Sequence, residues 1–230
     1  MTSVVSRDDA AAASGGPGRE RVARAGLELF GSNGYHGTTV DAIAERAGVG
    51  RRTFFRYFRT KEDVIFSTHE QVIEAVTAHL AAVQDLSPLR AVCSGTRMVF
   101  RSYVEQPQVS VQRYQLIRSE PALRDRELAW VSKYVRLFAG YLHNRLDPSA
   151  ENHRLAEVAA SAIVAAHNHE LRSWLQSGAE GDPFPALETA FDWVVSRFES
   201  SEAAMQGAVV AVVRPGQSLE DVVERISRSL

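Results

Sequence analysis

The sequence has one cysteine and no long apolar run, and both absences narrow the class of protein. Cys93 cannot form an internal disulfide, which is typical of a protein in a reducing cytoplasm. The longest apolar runs, such as Ala208–Val213, fall far short of the roughly 20 residues that a membrane-spanning helix needs. The first residues lack the apolar core of a secretory signal. We therefore expect a cytoplasmic protein, whose 230 residues form one large domain or two small ones.

Motifs for catalysis and cofactor binding are also missing. The sequence contains no P-loop, no nucleophile elbow and no glycine-rich dinucleotide fingerprint. His167 and His169 would point to opposite sides of a helix, and no third histidine or cysteine is placed to complete a metal site. Cys93 lies in an apolar helix pattern, which favours an inert core thiol. These observations predict no metal, no cofactor and no enzymatic activity.

Charge is unevenly divided along the chain, although the net charge is only −2. Residues 17–66 carry nine basic and six acidic side chains, whereas residues 67–230 carry 16 basic and 20 acidic ones. Five cations lie within residues 51–61, with no acidic residue among them. Such a cluster is either a solvated surface or a phosphate-binding surface, because cations release counterions when they bind a polyanion. The charge pattern alone leaves both interpretations open.

The spacing of apolar residues is helical along most of the chain and predicts an all-α fold. The clearest stripe runs through Phe184, Leu187, Phe191, Val194 and Phe198. No stretch before residue 200 alternates with the period of two that a half-buried strand requires. The first predicted helix begins near Arg19, and the next two cover Val40–Arg46 and Arg51–Phe58. A long helix from Thr60 to Val83 follows, and another helix begins at Pro88. The later predicted helices cover Val109–Arg118, Leu128 to Leu146 and Pro148 to Gly178, and the last of this series begins at Asp182-Pro183.

Threonines are predicted to cap two of these helices. Thr38 or Thr39 can cap the helix that begins at Val40, and Asp41 is placed for a capping box with Thr38. Thr60 caps the following long helix, with Asp63 three residues later.

Residues 40–58 have the dimensions of a helix-turn-helix. The turn, residues 47–50, contains two glycines, and Val49 is predicted to plug the space between the helices. In the second helix, Phe54 and Phe58 are four residues apart and are expected to face the core. The side chains left facing outward suit the major groove of DNA; they are Arg51, Arg52, Thr53, Phe55, Arg56 and Tyr57. The alternative is a structural helical corner with surface arginines.

Residues 19–66 resemble the N-terminal DNA-binding domain of the TetR family of transcriptional regulators. The resemblance lies in a series of short motifs that match the family pattern in order and spacing. They are Leu29-Phe30, Gly34-Tyr35, Thr38-Thr39-Val40, Ile43-Ala44, Ala47-Gly48-Val49, Thr53-Phe54-Phe55, Tyr57-Phe58 and Thr60-Lys61-Glu62-Asp63. The later helices resemble the family only in number, length and order.

The resemblance implies a homodimeric repressor that a small molecule releases from DNA. It also implies that the phosphate backbone is contacted by Thr39, Tyr57 and Lys61. The residues that approach the bases are Arg51, Arg52, Thr53 and Phe55, and Arg56 lies near the backbone or the bases. Gly50 departs from the serine that is frequent in the family as the cap of the second helix. Phe55 replaces a common tyrosine and could meet a thymine methyl, and Arg52 replaces a small residue and favours guanine.

Four segments are predicted. Residues 1–18 form a disordered arm, because they are rich in alanine, serine and glycine. Residues 19–66 form the helix-turn-helix domain, and residues 67–200 form a larger helical domain for ligand binding and dimerisation. Residues 201–230 are an extension of uncertain structure. The alanine-rich helix around Leu155–Leu175 and the helix Phe184–Phe198 are expected to form half of a four-helix dimer interface, as the resemblance implies; the alternative is an ordinary contact within the chain.

A pocket for a largely apolar ligand is predicted in the larger domain. Most of its candidate residues are aromatic side chains on neighbouring helices, for which core packing is the competing interpretation. They are Phe100, Tyr103, Tyr114, Trp130, Tyr134, Phe138, His167, Glu170 and Trp174.

Three functions stay open from the sequence. The first is a dimeric repressor that binds a pseudo-palindromic operator and a small-molecule effector. The second is the same architecture acting as an activator. The third is an all-α binding protein or enzyme that uses the Arg51–Lys61 cluster for an anionic ligand.

Overall fold

Helices make up nearly all of the chain that the structure describes, which is residues 16–207, and no strand occurs among those residues. The structure is a computed structural model. The predicted all-α fold is confirmed. Four of the helices carry proline at their first position, where the missing N–H leaves no hydrogen bond unmade. The helices in the described range are α1 (Pro17–Gly37), α2 (Val40–Arg46), α3 (Arg51–Tyr57), α4 (Lys61–Ile65), α5 (His69–Ala82), α6 (Pro88–Val104), α7 (Pro107–Ser119), α8 (Pro121–Arg145), α9 (Ala150–Gln176) and α10 (Phe184–Gly207).

Helices α1 to α4 form a small domain, residues 17–66, that we call the head. Its core is apolar: Val22, Ile43, Phe54 and Val64 each have no exposed surface. These residues come from four different helices, and Ile117 of α7 and Leu123 of α8 belong to the same buried cluster. Helix α1 begins at Pro17, two residues before the predicted start, and Gly34 adopts φ 70° near its end, which favours glycine.

The caps of the head are as predicted at Thr60 and different at Thr38. Thr60 and Asp63 form a capping box at the start of α4. At the start of α2 the cap is Thr39, whose side chain accepts a hydrogen bond from the backbone N–H of Ala42. The predicted box between Thr38 and Asp41 is wrong, because Thr38 is buried and donates its hydroxyl to the carbonyls of Leu29 and Gly34. Thr38 thereby satisfies acceptors at the end of α1.

Helices α5 to α10 follow the predicted pattern with three differences. The predicted helix from Thr60 to Val83 is two helices, since the chain turns between Ile65 and His69. Helix α8 begins at Pro121, seven residues before the predicted start at Leu128, which is 62% exposed, and its buried face includes Leu123, Tyr134, Phe138 and Leu142. Pro148 does not open α9, because Ser149 is its cap.

Two compact units make up the chain, and the first ends at Val195 within α10. The head and the helices from α5 to Val195 belong to this first unit. The second unit begins at Ser196, and α10 continues in it to Gly207. The predicted arm up to residue 15 and the predicted extension from residue 208 lie outside the described residues. None of the helices in the described range is long and apolar enough to cross a membrane.

Candidate DNA-contacting surface and ligand cavity

The turn between α2 and α3 sets the direction of α3. Gly48 has φ 66°, a conformation that residues with a Cβ rarely adopt. The amide of Val49 donates to the carbonyl of Ala44, which closes the turn. Phe54 is fully buried and Phe58 is 3% exposed, so this face of α3 anchors the helix in the head as expected.

The opposite face of α3 is polar and open to solvent. Arg51, Arg52, Phe55 and Arg56 are exposed, and Thr53 and Tyr57 are partly buried. Phe55 is 45% exposed, which is unusual for so large an apolar side chain. All six predicted residues of α3 are therefore at least partly accessible to solvent, and together we call them the α3 surface.

The cations of the α3 surface are held in different ways. Arg51 forms an ion pair with Asp41 at 2.6 Å, and its guanidinium lies 5.4 Å from the centre of the Phe55 ring. Arg56 donates to the Tyr57 hydroxyl at 3.2 Å. Arg52 makes no hydrogen bond or ion pair with any residue that the structure describes. Arg52 is thus the cation of α3 that is most available to a ligand.

Thr39 and Lys61 lie at the starts of α2 and α4. The Lys61 ammonium donates to the carbonyls of Tyr35 and Thr38, at 2.6 and 3.0 Å, and lies 4.0 Å from the centre of the Tyr35 ring. An ammonium has three N–H groups, so one remains for another acceptor. The predicted phosphate role of Lys61 is compatible with this placement, although its main contacts hold the end of α1 against α4.

A cavity of about 150 Å³ lies in the larger domain. Six of the nine predicted pocket residues line it: Tyr103, Tyr114, Trp130, Tyr134, Phe138 and His167. Phe100, Glu170 and Trp174 do not. Phe100 has no exposed surface and packs against His167 and Phe184, so it is a core residue. Trp174 is buried outside the lining, and Glu170 is not part of the lining although its neighbour Leu171 is.

Sequence reasoning missed several polar residues of the cavity wall. They include His69 at the start of α5, Arg113 of α7 and Asn168 of α9, all of which line the cavity. His69 is stacked on Trp130 with 4.9 Å between ring centres, and its Nδ1 lies 3.1 Å from the Tyr134 hydroxyl. No pattern in the sequence marks these side chains as buried.

Burial controls the ionisation of the cavity wall. It lowers the pKa of His69 to about 3 and that of His167 to about 4, and nearby cations lower the pKa of His69 further. It raises the pKa of Tyr103 to about 12. Both histidines and the tyrosine are therefore neutral at pH 7. Burial also lowers the pKa of Arg113, but a guanidinium remains protonated in proteins.

Side chains of α7 and α8 connect the cavity wall with the head. Arg126 donates to Asp63 at 2.6 Å and to the Thr60 hydroxyl at 3.3 Å, so it holds the capping box of α4. It lies next to Glu127 in α8, which lines the cavity. From α7, Gln112 donates to the carbonyl of Leu27, and its neighbour Arg113 lines the cavity. In both connections the residue that contacts the head is adjacent in sequence to a residue that lines the cavity.

A histidine pair lies at the other end of α8. His143 and His153 are stacked in parallel with 4.1 Å between ring centres, and Glu157 is close to both. Parallel stacked rings hold their nitrogen lone pairs in separate planes, so one ion could reach both only after a ring turns. His143 and His153 are ten residues apart, so unlike His167 and His169 they do not stand out in the sequence as a pair.

Known proteins match both parts of the chain. The family model of bacterial regulatory proteins of the tetR family matches residues 23–68, and the model of the MftR C-terminal domain matches residues 86–199. The HTH-type transcriptional regulator RutR of Escherichia coli K12 is 28% identical over 151 residues, which cover 62% of this chain and 71% of RutR. The HTH-type transcriptional regulator EthR of Mycolicibacterium smegmatis is 24% identical over 192 residues, which cover 82% of this chain and 73% of EthR.

Solved structures share the fold. The crystal structure of Thermus thermophilus FadR, a TetR-family transcriptional repressor in complex with lauroyl-CoA, superposes with a TM-score of 0.51 and 22% identity. It covers 86% of this chain and all of the FadR chain. At this identity the likeness is one of fold.

A helix-turn-helix head joined to a helical domain defines a DNA-binding regulator. The chain belongs to the TetR family of transcriptional regulators. It is therefore a regulator of transcription and not an enzyme.

Proposed function

We propose that the protein is a homodimeric repressor that works in the cytoplasm and leaves its operator when a small, largely apolar molecule enters the cavity. The observation that carries the proposal is the α3 surface. It presents three arginines to solvent from a short helix anchored by a fully buried phenylalanine. A rigid cationic helix of this size suits the major groove.

Arg52 is the residue that we assign to base recognition. Its guanidinium has no partner among the residues that the structure describes, so binding a guanine would not require breaking an ion pair. Arginine pairs with guanine through two hydrogen bonds to O6 and N7. Tyr57 at the end of this helix, and Thr39 and Lys61 at the starts of α2 and α4, are the residues that we assign to the phosphate backbone, as the family resemblance implies.

A second copy of the chain is the partner that we propose for α9 and the first part of α10. The outer face of α9 carries Val158, which is 57% exposed, followed by Ala162 and Ala165 at helical spacing. On α10, Trp193 is 62% exposed. Small residues allow two helices to approach closely, and a large exposed aromatic side chain gains by burial. Two copies would place two α3 helices on a pseudo-palindromic operator.

The connections through Arg126 and Gln112 offer a route for release. Helices α7 and α8 line the cavity together with α6 and α9, and both hold the head through these side chains, so a ligand that displaces either helix acts on the head. Release then requires that the ligand bind more tightly to the conformation that does not fit DNA. The ligand acts by changing the position of the head in each protomer.

Selection of bound duplexes from a random pool tests the DNA-binding part of the proposal. Wild-type protein is expected to select a pseudo-palindrome with guanine in each half-site, and to bind it with an affinity that falls steeply with salt. Arg52→Ala is expected to relax the preference at that guanine by about 1–3 kcal/mol. Arg145→Ala, which removes an exposed arginine of α8, is the matched control. An unchanged consensus for Arg52→Ala would refute the base assignment.

Two further measurements test the regulatory part. A screen for compounds that release the protein from the selected duplex identifies effectors, and a reporter gene behind that duplex separates repression from activation. Failure to bind any duplex in dilute buffer would refute the proposal as a whole.

A further inference from the structure

Arg113 is an isolated buried cation in the wall of the cavity. Its side chain is 8% exposed, and its Nε is buried without a hydrogen-bond partner. It forms no ion pair with any residue of the described part of the chain. A buried charge without a partner is costly, and native proteins rarely retain one without a use. The site therefore lacks an anion.

Nothing else in the wall supplies that anion. The buried groups around Arg113 are His69, Tyr103 and Ser110, none of which is an acid. The acid of the cavity lining is Glu127, and its carboxylate interacts with Arg172. A carboxylate from outside would match the planar fork of the guanidinium with two parallel hydrogen bonds.

The surface next to the cavity is also cationic. A depression shares Tyr114, Glu127 and Arg172 with the cavity and is bordered by Arg118 and Arg124. Three exposed arginines thus surround one acid where the cavity meets solvent. The positive electrostatic potential of these arginines raises the local concentration of anions and speeds their entry into the cavity.

The size and lining of the cavity limit the rest of the ligand. A cavity of about 150 Å³ holds roughly one benzene ring, as shown by an engineered apolar cavity of that size in another protein. Phe66, Tyr103, Trp130, Tyr134 and Phe138 supply aromatic walls for such a ring.

We propose that the cavity binds a small monocyclic aromatic carboxylate, whose ring packs among these aromatic side chains and whose carboxylate accepts hydrogen bonds from Arg113. The inference rests on the proposed role of the cavity as the effector site. It changes the expected ligand from a largely apolar molecule to an amphipathic anion.

Calorimetry on the full chain without DNA tests the proposal with three probes of similar size. Sodium benzoate is expected to bind about tenfold or more tightly than benzamide, because a charged partner is replaced by a neutral one. Toluene, which cannot pair with Arg113, is expected to bind no better than benzamide. Equal binding of benzoate and benzamide, or no binding of benzoate, would overturn the proposal.

Two variants locate the effect at Arg113. Arg113→Met is expected to abolish the preference for benzoate and to raise the melting temperature of the ligand-free protein by about 2 °C or more, since the unpaired buried charge is gone. Arg113→Lys keeps the positive charge but loses the planar guanidinium, and it is expected to bind benzoate more weakly than wild type. This variant tests the proposal if Arg113→Met does not fold. Arg145→Met removes a remote arginine and is expected to leave benzoate affinity unchanged; an equal loss in this variant would contradict the assignment.

Parallel measurement of DNA binding separates this inference from the proposed function. If benzoate binds through Arg113 but leaves DNA binding unchanged, the anion site stands and the release mechanism fails. If only uncharged compounds release the DNA and benzoate does not bind, the release mechanism stands and the anion site fails.

Discussion

The α3 surface and the cavity both present arginine, but in opposite environments. On α3, Arg51, Arg52 and Arg56 extend into solvent from a helix anchored by Phe54. In the cavity, Arg113 is 8% exposed and has no acidic partner among the described residues. An exposed arginine reduces the stability of the folded protein very little, and its binding to a polyanion is favourable because counterions are released. A buried arginine destabilises the ligand-free protein, so its presence points to a ligand that carries the opposite charge.

Phe54 and Phe55 are adjacent in α3, but Phe54 is buried and Phe55 is exposed. Substituting each of them gives the strongest test of the contrast between buried and exposed side chains. Phe54→Ala is expected to lower the free energy of unfolding by about 3–5 kcal/mol, because it leaves a cavity in the small core of the head. Phe55→Ala is expected to change it by about 0.5 kcal/mol or less, since the ring is exposed. Urea denaturation measures both. Similar losses in the two variants would show that the α3 surface is structural rather than a binding surface.

Acid is expected to destabilise the folded protein through the two buried histidines of the cavity wall. The folded protein holds His69 and His167 neutral, with pKa values of about 3 and about 4. The unfolded chain takes up a proton at each histidine near pH 6.5. Stability from these groups is therefore complete above pH 6.5 and falls as the pH decreases, by on the order of 2 kcal/mol per histidine at pH 5.

Denaturation of wild type and His167→Gln at pH 7 and pH 5 measures this effect. The variant is expected to lose less stability than wild type on acidification, because one of the two buried histidines is removed. His169→Gln, on the exposed side of the same helix, is the control and should behave like wild type. An unchanged pH dependence in His167→Gln would contradict the assignment.

The head was predictable because its signals are local. The apolar spacing in α3, the glycines of the turn and the Thr60–Asp63 box each act within a few residues, and the structure has all of them. The error at Thr38 was a choice between two adjacent threonines, which only the end of α1 decides. Local chemistry therefore predicts where the short helices of the head begin, whereas α1 begins two residues before its predicted start.

The cavity was predictable only in part, because it depends on packing between distant helices. The aromatic residues of α6 and α8 were recognised by their spacing, but spacing does not separate Phe100, which is core, from Tyr103, which lines the cavity. Arg113 lies in a short helix whose sequence reads as surface. Its burial requires α5, α6 and α8 to close around it, and no local rule describes that arrangement.

A substitution at Arg126 can weaken the contact between the head and the cavity wall. Arg126→Ala removes the hydrogen bonds to Asp63 and Thr60 but leaves the cavity wall in place. We expect a compound from the release screen to bind this variant with unchanged affinity and to weaken its DNA binding by about 1 kcal/mol less than in wild type. Calorimetry measures the first quantity and fluorescence anisotropy with labelled operator measures the second. Full release from the variant would exclude Arg126 from the coupling.

The smallest expected effect concerns Arg51, the one arginine of the α3 surface with an acidic partner in the described chain. Asp41→Asn breaks the ion pair, which is exposed on both sides and so contributes at most about 1 kcal/mol. The freed guanidinium and the lost negative charge should both favour phosphate, and we expect operator affinity to rise about twofold. Glu28→Gln is the matched control, since it removes the same charge from the exposed pair with Arg46. An equal rise in both variants would mean that the net charge of the head sets the affinity, and that the position of Arg51 on α3 adds nothing.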